Sequence, residues 1–187
     1  GHTRAFILPI RAIRKVIESG KYGELRALNI TSYSDWMLRP RTPDELDFSQ
    51  GGGIPYRQGP HQIDTVRMLG GGMLRSVRAQ IGQWMPERSI PGYYAAFMEF
   101  ENGVPATIVH NGYGYFNTAE LYPWAPPMHR YQEADRIANR KALRAGGRDE
   151  EFEKAQYRIG GSKDKTRRDA PNEKPPWTPY DMGRRIL

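Results

Sequence analysis

The sequence predicts an α+β fold, a mainly antiparallel open sheet with helices packed on one face. Three observations predict it. Apolar residues recur at helical spacing between Pro9 and Ser19. Asn102-Gly103 stands between two stretches of strand character. The elements run helix, strand, long loop, helix and then antiparallel strands, without the strand–helix alternation of a doubly wound fold.

Each element has a local cause. Ile10, Ile13, Val16 and Ile17 share a helix face, Pro9 suits a first turn and Gly20 stops the helix. Leu25, Leu28, Ile30 and Thr31 predict a strand within 24–34. Residues 35–58 carry Pro40, Pro43, Pro55 and three consecutive glycines, Gly51 to Gly53, and read as a long loop. Pro60 opens a second helix over 60–69, closed by Gly70-Gly71-Gly72. Val77, Ala79 and Ile81 alternate with polar neighbours, the pattern of a strand with one buried face. Tyr93–Glu101 and Val104–Tyr113 flank the hairpin signal Asn102-Gly103. Weakly apolar helices are expected over 131–145 and 150–157.

The chain has 187 residues and a net charge of +7. Taken alone, that charge invites a nucleic-acid partner. Its distribution argues otherwise. Residues 128–187 hold 15 Lys+Arg and 10 Asp+Glu, whereas 1–127 hold 13 and 11. The excess lies in a polar, basic extension whose glycines and prolines read as solvated loop. No zinc-finger spacing, RNP-like strand or clear helix-turn-helix accompanies it, so nucleic acid is not expected as a partner. The absence of cysteine removes disulfides, thiolate metal sites and cysteine nucleophiles. No apolar stretch is long enough to span a membrane. The expectation is a cytoplasmic protein.

The informative segment runs from Gly51 to Asp64. Glycines let backbone approach a ligand closely. Pro60 places His61 in the first turn of its helix, where free N–H groups and the positive dipole end disfavour an imidazolium. A neutral histidine is what a general base requires. Asp64, three residues on, shares its face, although a His-x-x-Asp pair by itself is more often structural. The remaining polar candidates have plain readings. His110 is a polar residue on one strand face, His129 lacks metal spacing, and Asp44, Glu45 and Asp47 form an acidic loop cluster. Trp36, Trp84, Trp124, Tyr93 and Tyr94 are core or interface aromatics.

Two stretches in the right order carry a resemblance. Pro9 to Arg26, with Ser19-Gly20-Lys21-Tyr22-Gly23, and Gly51-Gly52-Gly53 followed by Gly59, His61 and Asp64, resemble the C-terminal, substrate-side domain of the glucose–fructose oxidoreductase/inositol dehydrogenase/MocA family of NAD(P)-dependent oxidoreductases. The likeness covers 4–127 and leaves 128–187 as a helical, loop-rich basic extension, or as the remainder of the same domain. Carried over, it makes His61 the catalytic-site histidine and Asp64 a structural helix residue. The family usually has an aspartate where this sequence has Arg57. An arginine there points to an anionic substrate, since guanidinium binds carboxylate bidentately. The alternative for Arg57 is a loop ion pair.

Ser34 to Pro43, with Arg39 and Arg41, together with Tyr56 to Asp64, is similar to the phthalate 4,5-cis-dihydrodiol dehydrogenase branch. The resemblance implies oxidation of a carboxylated ring cis-diol to a catechol, NAD or NADP as cofactor, and Arg57, Arg39 and Arg41 as substrate-binding candidates. It also implies homo-oligomers through the sheet face. A sugar or polyol dehydrogenase, or a non-catalytic anion-binding module, are the other readings. No glycine-rich dinucleotide fingerprint occurs in the sequence, so the cofactor is expected on a Rossmann domain outside it. By that reading the 187 residues are inactive alone. The family's further sheet strands are not found before Leu187, which leaves a native or a truncated C-terminus as alternatives.

Overall fold

The computed structural model describes residues 6–121 and 133–156. Helix α1 (Leu8–Glu18) is followed by β1 (Leu28–Tyr33), a short α2 (Ile54–Arg57) and α3 (Gly59–Gly70). Strands β2 (Leu74–Gly82), β3 (Tyr93–Phe100) and β4 (Pro105–Asn111) come next, then α4 (Glu133–Ala145) and α5 (Glu150–Gln156). The sheet order is β1-β4-β3-β2. The β2–β3 and β3–β4 pairs are antiparallel, whereas β1 lies parallel to β4 with Leu28 opposite Ala106. The fold is α+β, as the sequence predicts, with one parallel pair in a mainly antiparallel sheet.

The hairpin forms where Asn102-Gly103 places it. Gly103 takes φ 82°, a left-handed value that glycine adopts without a Cβ clash, and the Phe100 N–H donates to the Val104 carbonyl at 3.0 Å. One face of the sheet is covered. Tyr94, Ala96, Met98, Phe100, Ala106 and Ile108 are buried there, together with Val66, Leu69 and Ile54. Gly70 lets Phe100 approach α3, since a Cβ would lie 2.3 Å from the ring. On the other face Phe97 is 49% exposed.

The expected burial of Val77, Ala79 and Ile81 is not observed. They are exposed, Val77 at 58% and Ile81 at 50%. The pairing explains this. All three sit on the helix-side face, opposite Met98, Ala96 and Tyr94. However, β2 is an edge strand, and no described helix reaches over it. Alternation reports a strand with an apolar side, not that something covers it.

The loop between β1 and α3 is far from structureless. It holds three 3-10 turns, Trp36–Leu38, Pro43–Glu45 and Phe48–Gln50, before α2. Trp36, Met37 and Leu38 are core residues, and Met37 N–H donates to the Gly112 carbonyl at 2.9 Å. Trp36 is thus buried, whereas Trp84 is 63% exposed and lies against Tyr93 and Tyr113 at centroid distances of 4.9 and 5.6 Å.

Residues 133–156 are docked rather than solvated. Arg136 pairs with Glu120, Arg140 donates to the Tyr113 carbonyl at 2.8 Å and covers the Tyr115 ring, and Arg144 pairs with Glu87 at 3.1 Å. Leu143 packs against the core, but most of what holds this arm is polar, which is why its apolar stripe is thin. The basic run at 163–168, the prolines of 171–179, Trp124 and His129 lie outside the described residues.

Candidate active site

His61 stands in the first turn of α3, as the sequence predicts, with Pro60 at the helix start. The residue is half-buried and its Nδ1 is shielded from solvent. Its carbonyl accepts the Thr65 hydroxyl at 2.8 Å, within the helix. Asp64 follows on the same helix, also half-buried.

Arg57 closes α2, four residues before His61, and Gln58 between the two helices keeps near-helical backbone at φ −118° and ψ −31°. Arg57 and His61 thus stand on either side of the junction of two helices, four residues apart in sequence. Arg57 Nη2 donates to the Asp44 carboxylate at 2.8 Å and to the Asp44 carbonyl at 3.2 Å. The loop ion pair is thus made, while the Arg57 side chain remains 32% exposed. Asp44 is held below the usual carboxylate range by hydrogen bonding from Thr42 and then by Arg57.

The other two arginines are differently placed. Arg39 binds Asp35, a residue only 2% exposed, through Nε at 2.7 Å. Arg41 is buried: Nε donates to the Trp36 carbonyl at 3.0 Å, Nη1 to Glu45 at 3.4 Å, and its guanidinium lies 3.8 Å from the Trp36 ring centroid. Burial pushes the Arg41 guanidinium down to about 10 against the attraction of Glu45, which leaves it cationic at neutral pH. Exposure sets Arg57 apart from the buried Arg41 but not from Arg39, whose side chain is 40% exposed; Arg57 differs from both in lying four residues ahead of His61.

The glycine run serves the chain's own packing. A Cβ at Gly52 would lie 2.5 Å from the Glu45 carbonyl oxygen and 2.6 Å from that of Asp47. Gly52 N–H donates to Asp47 O at 2.8 Å, and Gly53 N–H to Glu45 O at 3.1 Å. The close approach expected of these glycines is made to this loop. The acidic loop residues are likewise used internally: Asp44 by Arg57, Glu45 by Arg41 and Lys154, and Asp47 by Ser49.

Sequence reasoning missed two polar groups. Arg88, 3% exposed, forms a two-pronged pair with Glu150 at 2.9 and 2.8 Å, and donates to the Met37 and Arg39 carbonyls at 3.2 Å. Beneath α3, Gln62 is 1% exposed, accepts the Tyr94 hydroxyl and donates to the Val109 carbonyl at 3.4 Å. His110, 2% exposed, meets Ser34 Oγ at 3.1 Å and stacks beside Tyr94. No periodicity marks an arginine or glutamine that is buried by distant partners.

The chain belongs to the GFO/IDH/MocA family, matching its C-terminal domain over residues 10–122. It is 34% identical over 137 residues to the 1-carboxy-3-chloro-3,4-dihydroxycyclohexa-1,5-diene dehydrogenase of Comamonas testosteroni, covering 73% of this chain and 34% of that protein. A solved structure from Bordetella bronchiseptica RB50, designated a dehydrogenase, is 36% identical with a TM-score of 0.76, over 86% of this chain and 42% of that one. An inositol dehydrogenase homologue from Azotobacter vinelandii, complexed with NAD+, shares the fold at 14% identity and a TM-score of 0.54, over 63% and 33%. The chain thus spans about a third of the length of the curated relative. Among the described residues no helix is long and apolar enough to cross a membrane.

Proposed function

We propose that this domain is the substrate-binding half of an NAD(P)-dependent dehydrogenase that oxidises a carboxylated arene cis-dihydrodiol to a catechol. The observation that supports it most is the placing of a partly exposed Arg57 at the end of α2, four residues ahead of His61 at the start of α3. That spacing offers a cation for a ring carboxylate and a proton acceptor for the neighbouring hydroxyl. The Comamonas relative, whose name describes a carboxylated diol, supports the same substrate class.

In this reading Arg57 orients the substrate through its carboxylate, and Asp44 holds the guanidinium in place. His61 takes the proton of the hydroxyl whose carbon is oxidised. A bound nicotinamide would accept the hydride from that carbon. The ketone so formed loses a ring proton and gains a hydroxyl proton, giving the catechol. No cofactor-binding residue is assigned within 1–187, and the nucleotide domain is taken to lie outside them. Arg41, buried against Trp36 and Glu45, shapes the loop, and Arg39, paired with Asp35 but 40% exposed, is a second candidate cation for the substrate. Homo-oligomerisation through the open sheet face and a cytoplasmic location belong to the same reading.

The test is a dehydrogenase assay of the full-length protein on carboxylated and neutral cis-dihydrodiols, with NAD+ and NADP+ compared. His61→Ala lowers kcat about a hundredfold or more. Arg57→Gln raises KM about tenfold for the carboxylated diol alone. An unchanged kcat removes His61 from the chemistry. Equal KM changes on both diols remove the carboxylate contact and favour a polyol substrate.

A further inference from the structure

The turn Pro43–Glu45 is held from two sides. On one, Asp44 accepts from Arg57 through both its carboxylate and its carbonyl, and the Glu45 carbonyl accepts from Gly53, the residue that caps α2 at its N-terminus. On the other, the Glu45 carboxylate accepts from Arg41 Nη1 at 3.4 Å. It accepts from Thr42 N–H at 3.0 Å, from Thr42 Oγ1 at 3.2 Å and from Lys154 of α5. Glu150, one turn before Lys154 on α5, accepts from the Arg41 backbone N–H at 2.8 Å and grips Arg88 with both oxygens. Arg88 in turn fixes the Met37 and Arg39 carbonyls. Three of the four ionic side chains between α5 and this loop, Glu45, Arg88 and Glu150, are at most 18% exposed, so their attraction is little screened by solvent.

We propose that Lys154 and Glu150 on α5 are positioning residues for the Arg57 contact. The arm at 133–156 does not touch the anion. It fixes Glu45, the adjoining Asp44 follows, and Asp44 sets where the Arg57 guanidinium lies relative to His61. The inference rests on the carboxylate role assigned to Arg57 above. It adds that substrate affinity depends on a segment far away in sequence and charged on the surface by composition alone.

The decisive variant is Lys154→Met in the full-length protein, because Lys154 is 24% exposed and its loss leaves the Arg88–Glu150 pair in place. Its KM for a carboxylated cis-dihydrodiol rises about fivefold, with kcat and the KM for the neutral diol unchanged, and Lys154→Arg restores the wild-type value. Glu150→Gln acts in the same direction if it folds; Lys154→Met decides the matter if it does not. Unchanged KM values, or equal rises for both diols, overturn the proposal. Amide hydrogen exchange over residues 43–57 reads the link without substrate. It accelerates in Lys154→Met, and wild-type exchange overturns the proposal whatever the substrate proves to be. Faster exchange in a protein that oxidises no cis-diol keeps the mechanical link and discards the functional reading instead.

Discussion

Tyr94 donates its phenolic hydrogen to Gln62, the residue immediately after His61, across the seam between β3 and α3. The bond ties the first turn of the histidine-bearing helix to the centre of the sheet. The Tyr94 ring also lies beside Gly59, 3.8 Å from where a Cβ would stand. The position of His61 is thus set by two neighbours that take no part in the chemistry proposed for it.

Tyr94→Phe keeps the ring and removes only the hydroxyl, leaving a buried amide oxygen without that donor. The expected loss is about 1–2 kcal/mol of stability. Urea unfolding of the variant measures it, and a midpoint equal to wild type would show that the bond carries no weight.

Gly52→Ala places a methyl against two carbonyl oxygens that are part of the backbone and cannot rotate away. The loop must move, at a cost of about 1–3 kcal/mol. Gly103→Ala is a useful contrast, since nothing lies within 4 Å of its Cβ position and only its left-handed φ is strained. Thermal unfolding of both variants separates crowding from strain; a smaller loss at Gly52 than at Gly103 would contradict the packing described.

Acid should loosen the arm before neutral or mildly alkaline conditions do. Burial opposes ionisation of Glu45, but hydrogen bonding from Lys154 and Thr42 and the charge of Arg41 outweigh it, so its carboxyl is held below the usual range. A carboxyl lowered by folding adds stability above its unfolded value, about 4.3 for glutamate, and that stability is lost as pH falls through the folded value. Asp44, Asp47 and Glu87 are lowered too. The denaturant midpoint should stay level from pH 7 to about pH 5 as far as these groups are concerned, then drop below about pH 4. A midpoint level down to pH 3 would contradict the assignment.

What could be read from the sequence was local. α3 and the place of His61 follow from Pro60, the apolar spacing behind it and the glycines after it. The hairpin follows from Asn102-Gly103. The parallel pairing of β1 with β4 could not be read, because a strand's pattern does not name its neighbour. Val77 and Ile81 misled for a related reason: their alternation is real, but what covers a strand is decided by elements elsewhere. Arg41 and Arg88 were the hardest. A charged residue in a proline-containing loop looks the same in sequence whether it faces solvent, an anion or Glu45 and Glu150. The acidic partner of Arg88 lies 62 residues away, and the one sign of it was an excess of glutamates in the weak helix at 150–156.

The parallel pairing also bears on how the domain comes into being. Leu28 cannot find Ala106 until α3, β2, β3 and the turn before β4 have been laid down. The stretch between β1 and β4 is closed into a large loop by that final docking, a step with high contact order and a correspondingly slow expected rate. The segment carrying Arg57 and His61 lies inside this loop. By pairing with β4, β1 also covers a strand edge that would otherwise be open to strands from other chains.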